Sequence, residues 1–297
     1  MFAPCPPPRE PSRPVVDTPP NACDTHCHVF GPAVYFPYAG DRSYTPPDAP
    51  LAKYLKLLDT LGFDRGVLVQ GSAHGRDNSA MLDALAREAQ RLRGVAVADA
   101  DTPGDELRRW HALGVRGLRF NHFFRDGQLH YRGGVPLAAA RVLAPVMHEL
   151  GWHLQLWIDV KDLADTIPIL KSIGLPVVID HMGRTDAQRG TSAPGFQTLL
   201  RLVGDGGCWV KLSGAHRVSR QAPDYPDAHA LHEALVAANP DQLVWGSDWP
   251  HPRMEGEMPN AGHLLDLFNA WTPDDAIRRR ILVDNPARLY GFPLTSS

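Results

Sequence analysis

The amino-acid sequence predicts a single α/β domain built as a (β/α)8 barrel, also called a TIM barrel. Two observations lead to this prediction. After residue 20, eight short apolar runs alternate with eight stretches in which apolar residues recur at helical spacing. Polar residues gather directly after the apolar runs, and the active sites of such barrels lie at the carboxyl ends of their strands.

The apolar runs are expected to be parallel strands, because each is followed by a helical stretch that can cross over to the next strand. We expect strands at residues 22–29, 66–70, 94–99, 117–121, 153–158, 176–180, 208–213 and 243–248. We expect helices at residues 51–61, 79–92, 104–113, 136–150, 161–173, 195–203, 227–238 and 262–271. A doubly wound open sheet is the alternative, but no G-x-G-x-x-G sequence follows the first run.

The composition is ordinary for a soluble globular protein, with 43% hydrophobic and 21% charged residues. A formal net charge of −3 provides no basic surface, so we expect no nucleic-acid partner. No apolar run reaches the ~20 residues that cross a bilayer, and no secretory signal is recognised. We therefore expect a cytoplasmic protein without a membrane partner. The sequence leaves a homo-oligomer open.

The first 20 residues contain eight prolines and no apolar periodicity. We expect residues 1–20 to be an extended or disordered arm, and residues 21–297 to form one barrel domain, because no linker-like change of composition interrupts them. The long loop over residues 30–50 is expected to act as a lid or rim above the first strand.

The polar side chains that follow the predicted strands should meet at one mouth of the barrel. They are His26, His28, Ser72, Arg119, Arg125, His181, Arg184, His216, Arg217, Asp248 and His251. Each has a structural alternative: His181 can be a core histidine bonded to a backbone carbonyl, and Asp248 can cap the following turn. Their recurrence after strands that are distant in sequence favours a shared site.

His26 and His28 are two residues apart, so alternation along a strand places both imidazoles on one face. Together with His181 they could polarise a scissile carbonyl group directly or through a metal ion, while Asp248 takes a proton from water as general base. A serine nucleophile is not favoured, because the chain contains no G-x-S-x-G sequence.

Four of the residues expected at the mouth are arginines, namely Arg119, Arg125, Arg184 and Arg217. A guanidinium group binds a carboxylate through two parallel hydrogen bonds, so this cluster predicts a small substrate with one or more carboxylates. For Arg119 an ion pair within the protein, with Asp99 or Asp180, is the alternative.

Several stretches resemble the amidohydrolase superfamily and, within it, the family of lactonases that open 2-pyrone-4,6-dicarboxylate. The three most specific are ACDTHCHVFGP at residues 22–32, VIDHMGR at residues 178–184 and VWGSDWPHP at residues 244–252. RGLRFN at residues 116–121 and NPARLY at residues 285–290 also match. The resemblance covers residues 21 to 293 and implies an amidohydrolase-like TIM barrel that hydrolyses a small carboxylated lactone during the breakdown of lignin-derived aromatic compounds.

The resemblance also implies a role for individual residues. Asp248 would activate the hydrolytic water, and His26, His28 and His181 would surround the lactone carbonyl. The residues implied in substrate binding are Arg119, Arg125, Arg217, Ser72, Trp157 and His251. This chain has Trp157 where the family has a tyrosine, and Arg253 where a smaller polar residue is expected, so the particular lactone stays open.

The resemblance favours catalysis without a required metal or cofactor. A single divalent ion, Zn or Mn, on His26, His28 and Asp248 is the alternative. It would accompany a related sugar-acid or muconolactone-type lactonase, or a metal-dependent decarboxylase of the same superfamily. A barrel that only binds a carboxylated ligand is the non-enzymatic alternative, and it predicts binding without turnover.

Overall fold

A computed structural model describes residues 4–125, 127–129, 134–254 and 256–293, with the backbone alone at Arg125. Eight parallel strands form one sheet, in the order β1 (Cys23–Cys27), β2 (Arg65–Val69), β3 (Leu92–Ala96), β4 (Val115–His122), β7 (His153–Ile158), β8 (Val177–Ile179), β9 (Trp209–Leu212) and β10 (Leu243–Trp245). Two short antiparallel strands, β5 (Phe124–Arg125) and β6 (Gln128–Leu129), lie between β4 and β7.

The last strand returns to the first, which closes the sheet into a barrel at its mouth. The backbone N–H of Asp248 donates to the carbonyl of His26 at 2.8 Å, and the N–H of His28 donates to the carbonyl of Trp249 at 2.8 Å. A Cβ atom at Gly246 would lie 2.6 Å from the Cβ atom of His26, so the close approach of the two strands requires glycine there. The barrel prediction is confirmed, and the doubly wound open sheet is wrong.

The helices surround the barrel, and the longer ones bury one apolar face each. They are α1 (Leu51–Leu61), α2 (Ser79–Arg87), α3 (Gly104–Ala112), α4 (Ala140–Glu149), α5 (Leu163–Ile173), α6 (Pro194–Gly204), α7 (Ala215–Val218), α8 (Pro226–Ala238), α9 (Ala261–Trp271), α10 (Asp275–Arg279) and α11 (Asn285–Tyr290). In α1 the apolar residues at helical spacing are buried, and Gly62 in the left-handed conformation ends the helix. No helix in the described part of the chain is long and apolar enough to cross a membrane.

All eight predicted helices are present, and the main differences are at their ends. The helix expected at residues 79–92 ends at Arg87, because Leu92 belongs to β3 and pairs with Gly66 of β2. Short α7 and the C-terminal helices α10 and α11 were not predicted as elements.

Three residues of the N-terminal segment contact the loop before α9 or α9 itself. Arg9 contacts Glu257 at 3.0 Å, the backbone N–H of Ser12 donates to Asn260 at 3.0 Å, and the N–H of Val15 donates to Asp266 at 2.7 Å. The division into an arm over residues 1–20 and one barrel domain over residues 21–297 stays a prediction.

Candidate active site

A cavity of about 680 Å³ opens at the carboxyl ends of the strands. Its described lining includes one carboxylate, Asp248, and five arginines, which are Arg119, Arg184, Arg217, Arg220 and Arg253. The volume is that of a small-molecule site. Because arginine stays charged at any physiological pH, the excess of guanidinium groups favours an anionic ligand.

At the floor of this cavity, one oxygen of Asp248 faces three imidazoles. Asp248 Oδ1 lies 3.8 Å from His26 Nε2, 3.7 Å from His28 Nε2 and 3.7 Å from His181 Nε2. All four side chains are buried. The structure therefore brings together the four residues that the sequence singled out as catalytic, from the ends of three different strands.

Two of these residues adopt backbone conformations that residues other than glycine rarely adopt. His181 follows β8 with φ of 50°, and Asp248 follows β10 with φ of 60°. Buried Asp24 helps to hold the second conformation, because its carboxylate accepts hydrogen bonds from the backbone N–H and the hydroxyl of Ser247, at 2.9 and 2.7 Å. Such local strain is common where a fold aims side chains at a site.

The second oxygen of Asp248 is occupied by partners within the protein. Arg217 Nε donates to Asp248 Oδ2 at 2.8 Å, and His216 Nε2 lies 3.0 Å from the same oxygen. Burial by itself would raise the pKa of Asp248, but the charge of Arg217 is the first of the influences that outweigh it, and this pKa is held well below its usual range. Asp248 is therefore ionised at neutral pH.

Two of the histidines that face Asp248, His26 and His181, are neutral at neutral pH. Burial, and next the charge of Lys211, lowers the pKa of His26 to about 3. Burial also holds the pKa of His181 well below its ordinary value. His28 Nδ1 lies 2.8 Å from the carbonyl oxygen of Val69, which can only accept, so Nδ1 carries a proton, and in the neutral ring Nε2 presents a lone pair to the cavity.

The alternative that the sequence left open for Arg119 is present in the structure. Arg119 Nε and Nη2 both lie 3.2 Å from Asp180 Oδ2, and Gln155 Nε2 donates to the same oxygen at 3.2 Å. Asp99 instead pairs with Arg76, at 2.7 Å. Arg119 nevertheless lines the cavity, so it belongs both to an internal ion pair and to the wall of the site.

The other residues expected to bind substrate differ in their position relative to the cavity. Ser72 and Trp157 line the cavity, and the Ser72 hydroxyl donates to the Tyr44 hydroxyl of the loop over residues 30–50 at 3.2 Å. His251 is buried behind the cavity wall, with its ring centroid 4.9 Å from that of His216. Arg125 ends the short strand β5, and its side chain lies outside the described part of the chain.

Sequence analysis assigned no role to two residues that lie next to the catalytic candidates in the structure. His216 contacts Asp248 directly, and buried Lys211 contacts His26 from below, with Nζ 3.2 Å from Nδ1. Burial lowers the pKa of Lys211 to about 8. His216 follows β9, so its position after a strand was the available signal, whereas Lys211 lies within β9 and had no such signal.

Three groups of described side chains have the spacing to hold a metal ion: His26, His28 and Asp248; His26, Asp180 and His181; and His216, Asp248 and His251. In the first group both nitrogens lie within 3.8 Å of Asp248 Oδ1, and ligand atoms of a tetrahedral zinc site are about 3.3 Å apart. His26 Nε2 is also buried without a hydrogen-bond partner among the described residues. By spacing and donor type, this group fits one divalent ion.

Comparison with known proteins identifies the class. The amidohydrolase family model matches residues 23–292, so the chain belongs to the amidohydrolase family, and the resemblance predicted from the motifs is confirmed. Over 291 residues it is 39% identical to the 4-sulfomuconolactone hydrolase of Rhizobium radiobacter, covering 97% of this chain and 96% of the relative.

Two further relatives are named after a different lactone. The chain is 37% identical to the 2-pyrone-4,6-dicarboxylate hydrolase of Comamonas testosteroni, over 94% of this chain and 93% of the relative. A Pseudomonas putida structure described as a 2-pyrone-4,6-dicarboxylic acid hydrolase superposes with a TM-score of 0.81 at 39% identity, covering 93% of this chain and 99% of the other.

Proposed function

We propose that this protein hydrolyses a carboxylated lactone, with 2-pyrone-4,6-dicarboxylate as the leading substrate and its open-chain tricarboxylate as the product. The observation that carries the proposal is an ionised carboxylate, Asp248, which faces three imidazoles at the floor of an arginine-lined cavity. The relatives named after 2-pyrone-4,6-dicarboxylate and 4-sulfomuconolactone support the same class of reaction. Such a reaction fits the catabolism of aromatic compounds.

In the proposed mechanism Asp248 Oδ1 accepts a proton from a water molecule, whose oxygen attacks the lactone carbonyl carbon. The new C–O bond forms a tetrahedral intermediate. Its collapse breaks the ring C–O bond, and Asp248 returns the proton to the leaving oxygen. His28 Nε2 has a lone pair and is suited to accept a hydrogen bond from the water, which differs from the carbonyl-polarising role predicted from the sequence. His26 and His181 remain the candidates for polarising the carbonyl oxygen.

The guanidinium groups are proposed to hold the substrate carboxylates on the two sides of the ring. Arg119 and Arg217 lie at the cavity wall, while Ser72 and Trp157 provide a polar contact and a flat apolar surface. The proposed role of Arg125 stays a prediction. His251 packs against His216 rather than lining the cavity, so we propose that it supports the site from behind.

A muconolactone-type substrate is the second candidate, and the 39% identity to the 4-sulfomuconolactone hydrolase favours it. A single Zn or Mn ion is the cofactor alternative for either substrate. His26, His28 and Asp248 would hold it, and it would polarise the lactone carbonyl. The steps above use only groups of the chain itself.

The test follows the loss of pyrone ultraviolet absorbance when the purified protein is mixed with 2-pyrone-4,6-dicarboxylate, with and without a strong chelator. A parallel assay uses 4-sulfomuconolactone, and the Asp248→Asn variant controls for background hydrolysis. Rapid turnover that withstands the chelator supports the leading proposal. Turnover of the sulfonated lactone alone would favour the second candidate, and turnover of neither would contradict both.

A further inference from the structure

Lys211 is a fully buried lysine directly beneath the catalytic candidates, and it is not part of the cavity wall. Its side chain extends from β9 toward the axis of the barrel, where Nζ lies 2.8 Å from the carbonyl oxygen of Thr25 and 2.9 Å from Gln155 Oε1. The third neighbour is His26 Nδ1, at 3.2 Å. Burying a charged amine is costly unless its N–H groups find acceptors, so the burial of Lys211 depends on the groups to which it donates.

Counting donors and acceptors determines which way these contacts run. An ammonium group has three N–H donors and no acceptor, and Thr25 and Gln155 each provide an oxygen that accepts one of them. The third N–H meets His26 Nδ1. If Nδ1 carried a proton, two donors would face each other at 3.2 Å, and the third ammonium N–H would have only Asp180 Oδ1 nearby, at 3.7 Å, which is beyond hydrogen-bond distance.

The competing partner of His26 Nδ1 is Asp180, whose Oδ1 is also 3.2 Å away. Among the described residues, however, no donor is aligned for a hydrogen bond with Asp180 Oδ1. The charge of Asp180 is met at its other oxygen by Arg119 and Gln155. The Gln155 amide donates to Asp180 and accepts from Lys211, which fixes its orientation and agrees with the donor count.

We propose that Lys211 is a positioning residue that holds neutral His26 in the tautomer with its proton on Nε2. Nε2–H then points into the space in front of Asp248 Oδ1, at 3.8 Å, where a carbonyl oxygen can accept from it. His28, with its proton on Nδ1, presents a lone pair at 3.7 Å from the same oxygen. The site thus contains one fixed donor and one fixed acceptor.

This tautomer also sets a preference between substrate and metal. A metal ion needs the lone pair of His26 Nε2, and that nitrogen is protonated as long as Lys211 donates to Nδ1. Lys211 therefore weakens metal binding at His26, His28 and Asp248 and favours catalysis by the side chains alone. The inference rests on the proposed lactone hydrolysis only for the use of the Nε2 proton, since the tautomer itself does not depend on the substrate.

The test is ¹⁵N NMR of the full-length protein with ring-labelled histidines, in which a variant, His26→Gln, assigns the His26 signals. We expect a protonated-type shift at Nε2 and an unprotonated-type shift at Nδ1 in the wild type. The opposite pattern would overturn the proposal without any need for a Lys211 variant. A spectrum that shows Nε2–H, together with no turnover of either lactone, would contradict the proposed function but support the proposed tautomer.

The second arm uses Lys211→Met, with Lys171→Met on the exposed side of α5 as the matched control. In Lys211→Met the His26 proton should move to Nδ1, facing Asp180, so that Nε2 offers its lone pair to a metal ion. Zinc alone should then bind more tightly, by about tenfold, since the group that orients a ligand histidine changes metal affinity by about 10–100-fold. Lys171→Met should retain the wild-type spectrum and zinc affinity. A Lys211→Met protein that keeps Nε2–H and the wild-type zinc affinity would refute the role of Lys211.

Discussion

Replacing Arg217 by methionine should change both substrate capture and the pH dependence of the reaction. The Arg217 guanidinium lines the cavity, and its Nε donates to Asp248 Oδ2 at 2.8 Å. It is the largest of the influences that lower the pKa of Asp248 against the opposing effect of burial. Methionine keeps most of the apolar length of arginine but has neither the charge nor the donor.

The size of the pH effect follows from the hydrogen bond that is lost. A hydrogen bond to a charged group contributes about 1.5–3 kcal/mol, and about 1.4 kcal/mol corresponds to one pKa unit. Arg217 stabilises the ionised form of Asp248, so its removal raises the pKa of Asp248 by about one to two units. In the proposed mechanism the ionised form is the active one, so activity should fall as the pH drops through this pKa, and the acid limb should move to higher pH.

The assay is the pH profile of kcat/KM for the lactone that the protein turns over, measured for wild type, Arg217→Met and Arg119→Met. Arg119 pairs with Asp180 and not with Asp248, so it is the matched control. Both variants should lower kcat/KM at neutral pH, but only Arg217→Met should move the acid limb. A limb for Arg217→Met that coincides with the wild type would refute the link between Arg217 and the base.

Three other outcomes are expected. Asp248→Asn should lower kcat by about 10²–10⁴-fold with little change in substrate affinity, and a variant that retains most of kcat would remove Asp248 as the base. Thermal melting should show stability falling as the pH drops from about 6.5 to 5. Burial lowers the pKa of His26, His153 and His232 to about 3 each, so these side chains stay neutral in the folded protein while they take up protons in the unfolded state. Each histidine therefore lowers the free energy of unfolding by roughly 2 kcal/mol at pH 5. A melting temperature that is flat over this range would contradict that reasoning. Trp157→Tyr should change KM more than kcat in steady-state kinetics, because Trp157 lines the cavity wall. An effect confined to kcat would contradict this role and indicate that Trp157 acts on the reacting atoms.

The mouth of the barrel could be predicted because strand order in a parallel barrel fixes which ends meet. His28, His181 and Asp248 each lie within three residues of the end of a strand, so the alternation of apolar runs and helices was enough to bring them together. The same alternation located the helices with few errors. Helix ends were less certain, since a residue such as Leu92 fits a helical face and a strand equally well.

The layer beneath the mouth could not be predicted in the same way. Lys211 and Gln155 lie within strands, and a sequence does not state how deep in the barrel a strand residue points. A lysine in a strand is ordinarily exposed, so its burial depends on partners that come from β1 and β7. Only the register between neighbouring strands, which the sequence leaves undetermined, brings those partners to its Nζ.

Arginine number alone overstates the positive charge available to a substrate. Arg119 is paired with Asp180, and Arg217 with Asp248, so at both positions a substrate carboxylate competes with a carboxylate of the protein. The consequences differ, because Asp180 lies below the site while Asp248 is the candidate base. A substrate that draws on the charge of Arg217 weakens the influence that keeps the pKa of Asp248 low, and a carboxylate with a higher pKa is the stronger base. Binding an anionic group at Arg217 therefore favours the proton transfer that follows, and an anionic group at Arg119 has no such effect.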